Sequence, residues 1–397
     1  MVINKILTDL KGNCEREGFA GWDPYDGLNS KVFKALPFVG RSAVARLVWI
    51  QLFKRNPINL RRLLLVPKER NAKGIGLFVR GYCSLWHAVD ADSSLVCKFG
   101  TKAEIETRIR DLSDWLVDNV SQGYSGAAWG YNFPWQCRRE FLFPAYEATV
   151  VATYFCATAL LDAYEITGDE RYKATALSSA EFVKRDLRRT PYGGGVILSY
   201  SKMPGNDTIY NASLLGSALL ARCYSYTSDR DSLDLARQSA VACCGAQTAD
   251  GSWTYGVKPV TGWIDSFHTG YNLMAMEEYM RYSGDRDFAA CLEKGFDYYI
   301  KKFFMADGVP KYYHDRQYPV DIHCVGQLFV TLAALGRLSD HAGLVDRVLS
   351  WALENMWDDR GFFYYQLKKG ISSKISYMRW SNAFMFASLA GLLGKGD

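Results

Sequence analysis

Short acidic turns recur along the chain at nearly constant spacing. They are Thr167-Gly168-Asp169, Thr227-Ser228-Asp229, Ser283-Gly284-Asp285 and Leu338-Ser339-Asp340, with the aspartates 60, 56 and 55 residues apart. Between them fall loops rich in glycine and aromatic residues: Trp129-Gly130-Tyr131-Asn132-Phe133-Pro134-Trp135, Tyr192-Gly193-Gly194-Gly195, Asp250-Gly251-Ser252-Trp253, Asp307-Gly308 with Tyr312-Tyr313, and Asp359-Arg360-Gly361-Phe362-Phe363. Each loop is a turn signal. A unit of this length holds two helices of about 16 to 20 residues and two connections, which makes it a helical hairpin that must stack on its neighbours to bury its apolar faces.

The two helices of each unit differ in character. The first is apolar nearly all round, as in the run from Val150 to Leu161 and again from Phe329 to Leu335, which predicts burial on several sides. The second is amphipathic, with Leu233, Ala236, Ala240 and Cys243 on one stripe and Arg230, Asp234 and Arg237 elsewhere. Inner helices are expected at residues 73–89, 147–166, 210–227, 267–283, 321–335 and 379–393. Five of these are followed by an outer partner within the chain. The N-terminal segment is therefore expected to supply the last outer helix, from residues 40–53, and so to close a ring.

This all-α pattern resembles the (α/α)6 toroids, or six-hairpin proteins, which include many carbohydrate-active enzymes and the related terpenoid cyclase folds. The stretch Gly21-Trp22-Asp23-Pro24-Tyr25-Asp26-Gly27-Leu28-Asn29-Ser30, with Asn59-Leu60-Arg61-Arg62 and Lys73-Gly74-Ile75-Gly76-Leu77-Phe78, is similar to a bacterial group associated with surface-polysaccharide gene clusters. The resemblance implies a (α/α)6 toroid of six helical hairpins over residues 1–397, in which 1–72 is an N-terminal segment that closes the ring. The recurrence of polar residues at the helix starts reads as one cavity lined at that end.

Composition agrees with a single domain, because 49% of the 397 residues are hydrophobic and no low-complexity tract interrupts them. Residues 1–10 lack a signal-peptide pattern, and no apolar run reaches spanning length. The ten cysteines show no paired spacing, which reads as buried free thiols in a reducing compartment. A cytoplasmic protein is expected. Its net charge of +5 is uneven: residues 41–80 carry Arg41, Arg46, Lys54, Arg55, Arg61, Arg62, Lys68, Arg70, Lys73 and Arg80 against Glu69 alone. Such a segment is either a solvated face or a dock for an acidic glycan or an anionic inner leaflet, giving peripheral membrane contact. No nucleic-acid-binding motif accompanies it.

Polar side chains gather where inner helices begin. In Trp263-Ile264-Asp265-Ser266-Phe267-His268, the residues Asp265 and His268 share a helix face or form an N-cap, and Tyr271 follows one turn later. Asp321 and His323 occupy the same place one hairpin on, after Tyr312 and Arg316. Each aspartate reads equally as a cap or as one of the acid–base pair that such chemistry needs. Asp265, His268, Asp321 and His323 are the candidate catalytic residues, ranked above Glu147 and Asp207. Candidate substrate contacts are Glu147, Asp207, Tyr210, Asn211, Trp253, Trp263, Tyr271, Tyr312, Arg316 and Arg379. Aromatic faces stack on pyranose rings, and guanidinium groups bind carboxylates in a bidentate manner. Arg138, Arg139, Lys258 and Lys311 near the loops add to a preference for an acidic oligosaccharide or a lipid-linked glycan.

Neither a metal nor a cofactor is expected. There is no close ligand pair such as Cys-x-x-Cys or His-Glu-x-x-His, no P-loop and no Rossmann fingerprint. Gln247-Thr248-Ala249-Asp250-Gly251-Ser252-Trp253 matches the Gln-x3-Gly-x-Trp element of terpenoid cyclases, but no Asp-x-Asp-Asp or Asp-Asp-x-x-Asp motif accompanies it, so it reads as a loop-packing device. The expectation is a protein of bacterial surface-polysaccharide biosynthesis acting on an acidic glycan. Hydrolysis by Asp265 and Asp321 leads, with His268 and His323 handling protons and Tyr210 and Tyr271 donating hydroxyls. A uronate lyase or C5-epimerase, a non-catalytic glycan-binding or assembly protein, and an isoprenoid-processing toroid are the alternatives.

Overall fold

A computed structural model describes residues 2–137 and 141–394, so Arg138 and Arg139 lie outside the described residues. Six inner helices form the wall of a ring: Ala72–Ala91, Val150–Thr167, Tyr210–Thr227, Ser266–Ser283, Ile322–Ala334 and Phe384–Leu393, the last continuing a π-helical turn Met378–Ala383. The helices Lys102–Asp118, Glu170–Glu181, Arg230–Gly245, Ala289–Phe303 and Ala342–Met356 pack outside them.

Two of the acidic turns join the two layers by capping both helices at once. Gly168, Ser228 and Gly284 end inner helices in the left-handed conformation. The following Asp169 and Asp229 side chains accept from the backbone N–H of Arg171 and Asp231 at the start of the outer helices. The Gly193-Gly194 turn, with φ of 54° and 82°, closes a hairpin between Arg189–Tyr192 and Gly195–Leu198. The inner helix expected from residue 147 begins instead at Val150, because Thr149 is its cap and accepts from the Ala152 N–H.

Closure differs from the expectation in one respect. The outer helix that completes the ring is Val2–Arg16, which packs on Phe384–Leu393, and not residues 40–53. Val2–Arg16 has the single buried stripe that an outer helix needs: Ile6, Leu7, Leu10 and Cys14. Ala43–Arg55 is apolar on both sides and folds across the mouth of the ring, where Leu47, Ile50, Gln51 and Lys54 face the central cavity.

The mouth is built by one repeated hydrogen bond. The first N–H groups of a helix have no partner within it. Here Val150 donates to the carbonyl of Tyr200, Tyr210 to Tyr255, Ser266 to Tyr312, Ile322 to Tyr365 and Met378 to Trp22. Five of the six inner helices thus hold the aromatic loop of the next unit, and Trp22 of the N-terminal segment takes that place in the last step. One contiguous apolar core runs from Ile6 to Ala390, with a small satellite of Leu28, Phe33 and Ile50 under the N-terminal segment. None of the nine cysteines with described side chains is in a disulfide. Among the described residues, no helix is long and apolar enough to cross a membrane.

Candidate active site

The inner-helix N-termini converge on a cavity of about 920 Å³. Its polar lining includes Lys73, Asn211, His268, Tyr271, His323 and Arg379, set among Tyr25, Tyr131, Trp135, Tyr200, Tyr255, Trp263, Tyr312 and Trp380. Among the described residues no aspartate or glutamate lines it, whereas Lys54, Arg55, Arg316 and Lys368 do.

His268 is held by Asp265 from behind the wall. The Asp265 side chain is buried; its Oδ1 accepts from the His268 backbone N–H at 3.0 Å, and its Oδ2 accepts from the Trp263 indole at 2.8 Å. The same Oδ2 lies 2.7 Å from His268 Nδ1. With the carboxylate already accepting at both oxygens, Nδ1 is the donor, and the edge carrying Nε2 faces the cavity. Asp265 is thus both a helix cap and an orienting partner.

His323 sits in a second network. Lys73 Nζ donates to the Tyr271 hydroxyl at 3.0 Å, and that hydroxyl lies 2.9 Å from His323 Nε2. Since Tyr271 accepts from Lys73, its own proton goes to Nε2, which leaves the His323 proton on Nδ1. Burial, then the charges of Lys73, Arg379 and His268, push the His323 imidazolium well down, so the ring is neutral. His323 Nδ1 and Asn211 Oδ1 are buried without a hydrogen-bond partner among the described residues, a condition a bound polar molecule would relieve. Phe267 packs against both imidazoles, at 4.1 Å from the ring of His268 and 4.7 Å from that of His323.

The two buried positive groups are unequally compensated. Arg379 donates to Asp23 at 2.6 Å, both buried, while Lys73 has Arg379 as a neighbouring like charge. Burial first, and Arg379 second, hold the Lys73 ammonium well below its usual range. An anion in the cavity would oppose that shift by favouring the charged ammonium.

Asp321 is buried behind the neighbouring stretch of wall, at the start of the next inner helix. It accepts from the Trp380 indole at 2.9 Å, from Gln366 Nε2 at 3.0 Å and from the His323 N–H at 3.0 Å. Burial outweighs these hydrogen bonds and raises its carboxyl from 3.8 to about 6. The folded state then retains a proton that the unfolded chain releases, so stability falls as pH rises between these values, by about 1.4 kcal/mol for each tenfold difference in proton affinity between the two states. Asp26, also raised to about 6 by burial, adds a slope of the same sign. Asp321→Asn keeps the acceptor for Trp380 and is expected to remove roughly half of that slope, the measure being melting temperature against pH in variant and parent. Parallel curves would refute the assignment.

No protein-family model matches the sequence, and no curated protein matches it. Solved structures of similar shape do. A sugar epimerase from a ruminal bacterium superposes with a TM-score of 0.60 at 13% identity, covering 100% of both chains. An unsaturated glucuronyl hydrolase from Streptococcus agalactiae gives 0.58 at 12% identity, covering 100% of this chain and 91% of that one. Cellobiose 2-epimerase from Bacillus thermoamylovorans gives 0.57 at 12%, covering 81% and 87%. The chain is an (α/α)6 toroid.

The toroid brings together only part of the set expected from sequence. Asn211, Trp263, His268, Tyr271, Tyr312, Arg316, His323 and Arg379 line its cavity. Asp265 and Asp321 stand one layer behind, because their oxygens cap helices and hold indoles. Glu147 lies in the loop before its helix, where burial raises its carboxyl and Tyr124 is its hydrogen-bond partner. Asp207 pairs with Arg188 at 3.8 Å, and Tyr210 bonds the Tyr192 hydroxyl at 3.3 Å; neither lines the cavity. Trp253 is wedged between helices, donating to the Cys243 carbonyl at 2.9 Å and leaving no room for a side chain at Gly295. Lys311 donates to the His314 carbonyl and Lys258 to that of Gly205, away from the cavity.

Several lining residues escape a reading of the sequence. Lys73 stands at the second position of the first inner helix, equivalent to the polar starts of later ones, and that position in the repeat is its signal. Tyr25 belongs to the aspartate-rich N-terminal stretch, and Trp380 follows Arg379 directly.

Proposed function

We propose that this toroid binds an acidic sugar unit of a bacterial surface glycan, or of its lipid-linked precursor, and moves a proton at the carbon beside the sugar carboxylate. C5 epimerisation of a uronate is the reaction. The observation that carries this reading is the His268–Asp265 dyad presenting Nε2 to a basic, aromatic cavity that no carboxylate lines among the described residues. His268 takes the C5 proton, and the electron pair of the C–H bond moves into the carboxylate to form an enediolate. Arg379 and Lys73 stabilise that charge. Return of a proton to the opposite face of C5, from the Tyr271–His323 side, completes epimerisation. Elimination shares the first step and differs in breaking the C4–O bond, the leaving oxygen taking the proton.

Two-carboxylate hydrolysis places both groups about 5 to 9.5 Å apart across the sugar. Asp265 and Asp321, shielded by the residues they hold, do not offer that arrangement. The similar solved structures named as epimerases support the choice of proton transfer, and the stretch around Gly21 to Ser30 supports the polysaccharide setting. The stacked Tyr255–Trp263 pair, 4.5 Å between ring centres, offers the flat face on which a pyranose packs.

The test is an NMR time course in D2O with uronate-containing oligosaccharides. Deuterium at C5 without cleavage is the expected result. New reducing ends would establish hydrolysis instead, and unsaturated products elimination. Line broadening without isotope exchange would identify a glycan-binding protein.

A further inference from the structure

We infer that the N-terminal segment across the cavity mouth is a docking face for an anionic lipid bilayer. The helix Ala43–Arg55 has its inner side on the cavity, with Ile50 and Phe53 buried. Its outer side carries Val44, Val48 and Leu52, one helical turn apart and all exposed. A helix with apolar side chains on two sides is normally covered on both, so the outer side of this one lacks a cover. The neighbouring turns extend the apolar surface: Phe38 is 81% exposed, Leu63 75% and Ile58 69%. Elsewhere in the described chain, large exposed apolar side chains are scattered along the sequence, from Val2 to Ile371, and such isolated cases are ordinary.

Charge identifies the occupant. Residues 28–68 contain no aspartate or glutamate, and Lys31, Lys34, Arg41, Arg55 and Arg62 on this segment are exposed. Apolar side chains among basic ones, without acidic residues, are what an interfacial segment offers to acyl chains and anionic headgroups. A second copy fits worse, because a two-fold contact would set this basic surface against itself. Docking of this face would hold the cavity mouth at headgroup level. Attachment through this face does not depend on which reaction the cavity carries out.

The experiment is co-sedimentation of the full chain with phosphatidylcholine vesicles, with and without phosphatidylglycerol. Binding is expected only where phosphatidylglycerol is present. Phe38→Ser with Leu63→Ser is expected to weaken it by at least about tenfold. Neutralising Arg41 and Arg62 by glutamine is expected to cost about fivefold per side chain. All four side chains are exposed, and unchanged melting temperatures would show that the variants fold. Absence of binding to either vesicle, or equal binding to both, would overturn the inference. So would a concentration-dependent dimer in sedimentation velocity that the Phe38/Leu63 variant abolishes, since the face would then belong to a second copy.

Discussion

Replacing His268 by alanine is expected to lower turnover of a uronate substrate by about 10²- to 10⁴-fold, the usual contribution of a positioned acid–base group. The loss should fall on kcat, with KM changed little, because stacking on Trp263 and Tyr255 and the charge of Arg379 remain. The fold should be unaffected, since the Asp265 cap accepts from the backbone of residue 268 and not only from its ring. Asp265→Asn is expected to lose nearly as much. An amide in place of Oδ2 presents a donor to Nδ1, so the imidazole proton moves to Nε2 and the base faces the substrate in the wrong tautomer. Rates of C5 isotope exchange in the three proteins provide the measurement. Exchange at the parent rate in His268→Ala would remove the dyad from the mechanism.

The second large effect is on stability. Arg61 is fully buried; it donates to Asp26 at 2.7 Å, to the Asp23 carbonyl at 2.7 Å and to the Tyr377 hydroxyl at 2.9 Å, with its guanidinium over the rings of Phe53 and Tyr377. It therefore ties the N-terminal segment to the last unit of the ring. Arg61→Ala leaves Asp26 buried without its counter-charge and is expected to cost about 3 to 5 kcal/mol, read from urea unfolding at neutral pH. The deficit should shrink toward acid pH. Asp26 is already held up at about 6 by burial, and without Arg61 it moves higher, so protonation relieves the penalty as pH falls. A loss below about 1 kcal/mol would place the pair with exposed salt bridges, which contribute little. The same variant should loosen the segment that covers the cavity, because Arg61 and the Asp23–Arg379 pair tie it to the last unit of the ring through buried charges.

The repeat was legible in the sequence because its signals are local. Acidic turns that end one helix and cap the next, inner helices apolar all round and outer helices with one apolar stripe are each properties of a few consecutive residues. Position within the unit then located the cavity at the helix starts, where Asn211, His268, Tyr271, His323 and Arg379 lie. Hidden from it was which of several clustered polar residues looks inward. Asp265 and His268 are three positions apart, and which of the two meets the cavity depends on the rotation of the helix about its own axis. That rotation is set by Trp263, Phe267 and the next unit's loop, which are packing partners distant in sequence. Lys73 reads in sequence as one member of a basic run because lysines are seldom buried, and only the closed ring shows it beneath Tyr271 and beside Arg379.

Closure follows the same division. That the N-terminal region must supply a sixth outer helix was implied by counting, but two helices competed for the place. Val2–Arg16 has one apolar stripe and joins the outer layer, while Ala43–Arg55 has two sides to cover and lies across the mouth. Sequence alone determined the hairpin repeat, its register and the end of the ring that carries polar chemistry, because these rest on periodicity and capping within each unit. Tertiary structure alone decided which helix closes the ring, which side chains face the cavity and which carboxylates stand behind it. Those outcomes depend on contacts between residues hundreds of positions apart, as Trp22 with Met378 and Asp23 with Arg379 show.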